Sequence, residues 1–350
     1  MDKYLYFIVL NCLHKMNSER TIYATFHLLN GKKSSQTIQD AHLYQLTNLF
    51  QTYPMSDRSQ FNYIIAELTK KGLIQLIDEN RYIPTERGDN ELSTGYKAYP
   101  PLPYLNGWRY QDTVLKFWQR LTFFIQIVSH LIRGERSYYP IEHDPLAKKW
   151  MKSFLKKQQI PREQLGYACY DELNKIFSNN PPEDPRFITF RLTGSGQIGK
   201  TVDQAAALLH IETTEYWYRY LHLLHYIIWI ITTNPHEYSF LYSFIADVHT
   251  DIKMTKSTSV TYKLLKKGFS IEDIAAYRKV KKSTIEDHII EIVLNDPQFP
   301  IDDFIHKDTL KKIKKTAAIV GKKKLRPIKE RLENVTYFQI RLALAVLGDE

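Results

Sequence analysis

The chain has 350 residues, with 48 Lys and Arg against 38 Asp and Glu, for a net charge of +10. That length supports two or three domains with real hydrophobic cores. No apolar run reaches the roughly 18 residues a bilayer requires. Two cysteines, Cys12 and Cys169, cannot build a disulfide framework or a four-cysteine zinc site. The N-terminal stretch MDKYLYFIVLNCLHKMN has no basic leader and no small-residue cleavage site. A cytoplasmic protein with two buried free thiols is expected.

Residues 1–95 read as a winged helix. Apolar helical runs cover Tyr4 to His14, Ile22 to Leu29 and Leu43 to Phe50. In Ser59 to Lys71, Phe61, Ile64, Ile65 and Leu68 recur at i, i+3, i+4 and i+7, the period of a helix with one buried face. Gly72 ends that helix. Two β-prone runs follow, Leu73 to Ile77 and Tyr82 to Thr85, joined by the polar turn Asp78-Glu79-Asn80-Arg81. The Ser59–Lys71 helix would enter a nucleic-acid groove. Lys70, Lys71, Arg81 and Tyr82 would meet the backbone or stack on a base.

Thr94 to Pro103 holds three prolines and reads as a linker. A middle helical domain, 104–250, opens with one long helix from Trp108 to Arg133. Its aromatic stripe of Trp108, Phe117, Trp118 and Phe124 is a core face. Tyr138 to Phe177 is helical in pieces, broken at Pro140, Pro145 and Pro161, and Asn179 to Pro185 is a loop. Leu221 to Ile231 is short for a membrane span and broken by histidines, so it reads as a buried helix.

Gly194 to Thr201, GSGQIGKT, satisfies the P-loop pattern and follows a possible strand, Phe187 to Leu192. In that reading Gly194 and Gly199 shape a phosphate cradle, Lys200 reaches the β/γ-phosphates and Thr201 holds Mg²⁺. The chain shows no alternation of strands and helices to build the parallel sheet such loops sit on. A helix-turn-helix near 201–231 accounts better for the same residues. Thr201 caps Val202 to Leu209, His210-Ile211-Glu212 makes the turn, and Thr213 or Thr214 caps the helix beyond.

Residues 251–350 carry 21 Lys and Arg against 14 Asp and Glu, a net +7 of the chain's +10. Lys263 to Ile292 reads as helix, glycine turn at Gly268, short helix, polar turn and longer helix. Ser270 with Asp273, and Ser283 with Glu286, have capping-box spacing. Ile271, Ile274 and Ala275, then Ile285, Ile289 and Ile292, recur at helical spacing. This is a helix-turn-helix, a motif that commonly holds nucleic acid. Lys281 and Lys282 stand at the start of its second helix, with Ser283, Thr284 and His288 further in. Glu286, Asp287 and Glu291 on that helix would repel phosphate if they faced it. Lys311, Lys312, Lys314 and Lys315, then Lys322, Lys323, Lys324, Arg326 and Lys329, form a basic stretch suited to backbone phosphates. No catalytic constellation or metal-ligand spacing stands out, so neither enzyme activity nor a cofactor is expected.

Two strings carry a family resemblance: TYKLLKKGFSIEDIAAYRKVKKSTIEDHIIEI at 261–292 and VTYFQIRLALAVLG at 335–348. They resemble the helix-turn-helix domain near the C-terminus of RecQ-type helicases. The whole chain is similar to the bacterial YpbB-type proteins, described as minor RecQ-C-terminal-like DNA-binding proteins. Their genes commonly lie beside one for a RecQ-like helicase. The helicase ATPase pair, its Asp-Glu-x-His box and its zinc cysteines have no counterpart here. The expectation is a mainly α protein: an N-terminal winged helix with a small β-hairpin wing, a helical middle region and a C-terminal helix-turn-helix domain. It would bind structured or forked DNA, with low sequence specificity and no membrane involvement, in support of a RecQ-like helicase. The alternatives are an adaptor that binds the helicase but not DNA, and a nucleotide switch at Gly194–Thr201.

Overall fold

A computed structural model describes residues 2–135, 137–250, 252–321, 325–332 and 334–347, with the backbone alone at 162 and 163. Among these it holds eighteen helices and one two-stranded sheet. The first elements are α1 (Lys3–Met16), α2 (Ile22–Leu29), α3 (Ser35–Leu43) and α4 (Arg58–Lys70), then β1 (Ile74–Asp78) and β2 (Arg81–Pro84). Next come α5 (Glu86–Ala98), α6 (Gly107–Ile132), α7 (Pro145–Lys157), α8 (Arg162–Ser178) and α9 (Arg186–Thr189). They are followed by α10 (Val202–Leu208), α11 (Thr213–Thr233) and α12 (Ser239–Tyr242). The last are α13 (Lys256–Leu265), α14 (Ile271–Arg278), α15 (Lys282–Asn295), α16 (Lys307–Val320), α17 (Leu325–Arg331) and α18 (Tyr337–Leu347). Among the described residues no helix is long and apolar enough to cross a membrane.

The chain divides into two compact units, one of residues 1–8 with 91–249, the other of residues 9–90 with 250–350. In the first, the long helices α6 and α11 form the centre, burying Phe117, Leu121, Phe124, Leu223, Leu224, Ile227 and Ile228. Polar groups taken inside are matched, as burial demands. Glu172 accepts the N–H groups of Phe240 (2.9 Å) and Leu241 (2.8 Å) at the start of α12. Glu183 accepts from Arg219 Nε at 2.8 Å and meets His222 Nδ1 at 3.0 Å. Burial, with His222 adding, lowers the His225 pKa to about 3, so its ring is neutral and Nδ1 accepts the Asn106 N–H at 3.0 Å.

The second unit holds the winged-helix order: α2, α3, α4 and an antiparallel hairpin. Phe61, Ile64, Ile65 and Leu68 are the buried face of α4. Gly72, at φ +66°, closes that helix with paired bonds, Gly72 N–H to Thr69 O and Leu73 N–H to Leu68 O. An α-L conformation of this kind is strained for any residue with a Cβ. Leu76 stands opposite Tyr82 and Asp78 opposite Arg81 across the hairpin. The C-terminal helices share one core, with Ile274, Ile285, Ile289, Ile292, Ile313, Ile328 and Ile340 at its centre.

Several local expectations are corrected. The apolar run Leu43 to Phe50 is not an α-helix: α3 lies earlier, capped by Ser34 on the Thr37 N–H, Gln45 at φ +53° breaks the chain after it, and only a single 3₁₀ turn, Thr47–Leu49, follows. Thr94 to Ala98 belongs to α5 rather than to a linker. Pro145 opens α7 instead of breaking a helix, at a position where its missing N–H has no intrahelical role. Phe187 to Leu192 is not a strand, since α9 and a turn occupy it. The N-cap of α11 is Glu212, not Thr213 or Thr214. Both cysteines are buried and free, and burial pushes the Cys12 thiol up to about 12.

Candidate nucleic-acid interface

Three helices of the second unit make the motif. Gly268, at φ +83°, ends α13 with the same paired bonds as Gly72: Gly268 N–H to Leu265 O at 2.9 Å and Phe269 N–H to Leu264 O at 3.3 Å. Ser270 then caps α14 in a full capping box with Asp273. Lys279 leaves α14 in the left-handed conformation, φ +54°, and Lys281 is the N-cap of α15 without a side-chain cap bond. Ser283 therefore lies inside the first turn of α15, and the expected capping box with Glu286 does not form.

The surroundings of α15 decide what it can present. It packs against α13, α14, α18 and α3, and Ile285, His288, Ile289, Ile290, Glu291, Ile292 and Val293 are buried. Only the opening turn is open: Lys281, Lys282 and Ser283 are exposed, and Thr284 and Glu286 are half-buried. A groove could not receive this helix along its length.

His288, expected at the surface, is only 8% exposed. Its Nδ1 lies 2.8 Å from the Thr261 hydroxyl and 3.2 Å from Arg278 Nη1. Arg278 can only donate, so Nδ1 is the acceptor and the ring is the neutral Nε2–H form. Burial, reinforced by Arg278, lowers its pKa to about 4. Arg278 also holds the Ser257 carbonyl (3.0 Å) and hydroxyl (2.8 Å) and the Thr261 hydroxyl, tying the end of α14 to α13. His288 is thus part of the packing and is not available to a DNA surface.

The three acids of α15 have different fates. Glu291 is buried, accepting from the Thr255 N–H, the Thr255 hydroxyl (3.2 Å) and the Thr258 hydroxyl (2.6 Å) at the start of α13. Burial raises its pKa despite these donors. Asp287 is ion-paired with Arg341 of α18, whose Nε also donates to Gln39 of α3 at 3.0 Å. Glu286 is half-buried in the first turns of α15. Lys282 is 2.7 Å from Glu272 of α14, an exposed pair whose strength falls with salt.

In the winged-helix part, Lys70 is exposed and 4.0 Å from Glu67, Lys71 is half-buried at the cap of α4, Arg81 is exposed and Tyr82 half-buried. The outward face of α4 carries Ser59, Asn62, Tyr63 and Ala66, all exposed. Asn62 and Tyr63 were missed by reading only the apolar positions; the same period points to them as the opposite face. The exposed face of α16 carries Lys307, Lys311, Lys312 and Lys315. Lys322, Lys323 and Lys324 lie outside the described residues.

The Gly194–Thr201 loop spends six of its eight backbone N–H groups on itself and its neighbours. Gly194 N–H bonds Gln197 O and Gln197 N–H bonds Gly194 O. Ser195 N–H bonds Ser129 Oγ, Gly199 N–H bonds Thr193 Oγ1, Lys200 N–H bonds Phe190 O and Thr201 N–H bonds Gln204 Oε1. A phosphate cradle needs such N–H groups pointing at the anion. The glycines have a packing reason instead: a Cβ on Gly199 would sit 2.4 Å from Arg191 O, and one on Gly194 2.8 Å from Ser129 Oγ. Thr201 is the capping residue of α10, in a full box with Gln204.

A glycine-ended helix, a boxed short helix and a longer helix in one core define a helix-turn-helix protein, and the family model for a helix-turn-helix domain matches residues 257–344. The chain is also 34% identical to Protein YpbB of Bacillus subtilis (strain 168) over 346 residues, 97% of each chain. It belongs to the YpbB family. No solved structure matches the chain.

Proposed function

We propose that this protein is a non-catalytic, cytoplasmic DNA-binding protein that assists a RecQ-like helicase and grips DNA mainly through its phosphates. The observation that carries the reading is the exposed turn between α14 and α15. It gathers Lys279, Lys281, Lys282 and Ser283, while Asp287 is paired with Arg341 and Glu291 is turned inward. Cations and a hydroxyl at a helix start suit phosphate oxygens. The turn offers no Arg, Asn or Gln fork for a base edge, so little sequence reading is expected from it. Lys70, Arg81 and the exposed α16 lysines are further cations of the same unit. The helicase link rests on the likeness of the C-terminal strings to RecQ-type helicases.

The test is a double charge reversal, Lys281→Glu with Lys282→Glu, followed by DNA-binding titration. Loss of roughly tenfold or more in affinity at moderate salt is expected, since both lost phosphate contacts also become repulsive. Unchanged affinity contradicts the placement of this turn on DNA. A second reading, a protein adaptor, is favoured by the exposed aromatics Phe269 and Tyr277 on the same motif. Unchanged DNA affinity together with loss of helicase co-purification on replacing Tyr277 by Ser would establish it.

A further inference from the structure

Helix α7 has the sequence PLAKKWMKSFLKK: five lysines and no acid in thirteen residues. Ala147, Met151 and Phe154 are buried. Trp150 stacks on Phe154 at 5.1 Å, donates to Asp247 Oδ2 at 3.2 Å and lies under the Arg120 guanidinium at 3.9 Å. At about 100° per residue, Lys148, Lys149, Lys152 and Lys156 fall within one arc of about 100° away from the packed side, and Lys157 falls about 80° beyond that arc, next to Trp150. All five are exposed, and among the described residues none forms an ion pair or side-chain hydrogen bond. The acids at its N-terminal end are Glu142 and Asp144, which bond the Asp144 and Leu146 N–H groups.

A stripe of like charges repels itself, and among the described residues no acid pairs with these lysines. It therefore has a polyanion as its natural counterpart. We propose that α7 is a second DNA-binding surface, distinct from the helix-turn-helix, that tracks the phosphate backbone. This rests on the reading of the chain as a DNA binder. Lys148, Lys152 and Lys156 repeat about every 6 Å along a line about 12 Å long. Duplex DNA presents roughly one charge per 1.7 Å of axis, so that line faces several phosphates at once. A membrane is the poorer match. An amphipathic helix binds lipid by inserting its apolar face, and the apolar face of α7 is already packed on α6 and its surroundings.

The experiment uses the full chain with all five lysines changed to glutamine: K148Q, K149Q, K152Q, K156Q and K157Q. Gln and Lys have nearly equal helix propensity and removing the like charges relieves repulsion, so a thermal midpoint no lower than the wild type's is the check on folding. Affinity for a labelled random-sequence duplex is measured between about 50 and about 200 mM salt, for this variant, the wild type and the K281E/K282E variant. The slope of log K against log salt is expected to become shallower by about 4, near 0.9 for each of the four lysines that share the arc. A slope equal to the wild type's overturns the proposal whatever K281E/K282E does. A shallower slope in the α7 variant with no effect of K281E/K282E upholds α7 and removes the helix-turn-helix reading. No DNA binding by the wild type overturns both. Equal loss of binding to phosphatidylserine vesicles in the α7 variant overturns it in favour of a lipid surface.

Discussion

His288 and Glu291 stand three residues apart on the inner side of α15 and answer acid in opposite ways. The folded pKa of His288 is lowered to about 4 by burial and Arg278, against an ordinary value near 6.5. Below about 6.5 the unfolded chain takes up a proton that the folded ring refuses. The contribution of His288 is therefore complete above pH 6.5 and is lost as pH falls toward 4, by roughly 3 kcal/mol. Glu291 has a raised pKa, so its contribution is complete in acid and lost as pH rises through its folded value. Chemical denaturation from pH 7 to pH 4.5 should show stability falling with acid, with a shallower fall in His288→Asn. An identical pH profile in that variant would mean that the ring is not the titrating group. The burial of His288 was not legible in the sequence. The period of α15 places it beside Ile285 and Ile289, but its polar partners, Thr261 and Arg278, come from α13 and α14.

At the scale of elements, punctuation was what the sequence conveyed best. Gly72 and Gly268 mark two helix ends because an α-L turn with paired bonds favours glycine, and Ser270 marks a helix start because its box partner Asp273 is three residues on. Punctuation failed where a local pattern had no such chemistry behind it. The run Leu43 to Phe50 has apolar spacing but lacks a cap and is broken at Gln45, whereas the polar segment Ser35–Leu43 forms α3. The three prolines of Thr94 to Pro103 suggest a linker, yet Thr94 to Ala98 continues α5, and Gly95 lets that helix approach Phe7, whose ring a Cβ would meet at 2.4 Å. The packing of α3 on α15, through Gln39, Arg341 and Asp287, joins residues some 250 or more positions apart and leaves no local signal. Arg341→Gln should leave the Asp287 charge uncompensated, reducing stability by about 1 kcal/mol and weakening DNA binding. Adding Asp287→Asn should restore most of the affinity. A double variant that binds no better than Arg341→Gln alone would show that Arg341 acts through packing rather than by cancelling that charge.

For the whole molecule, the surplus of positive charge and the helical class were visible at once, and the distribution of charge over exposed faces was not. The basic C-terminal hundred residues stand out in the string, whereas the lysines of PLAKKWMKSFLKK define a solvent face only once α7 is packed through Ala147, Met151 and Phe154. The P-loop pattern failed for a related reason. It specifies residue types but not where backbone N–H groups point, and here the described loop turns most of them inward. The account as a whole rests on phosphate contact with little base reading. Its most direct test is the wild-type affinity for several unrelated duplexes and for forked DNA, titrated from about 50 to about 200 mM salt. A steep fall with salt, with affinities for unrelated duplexes agreeing within a few-fold, is expected. A flat salt dependence, or strong preference for one duplex sequence, would contradict it.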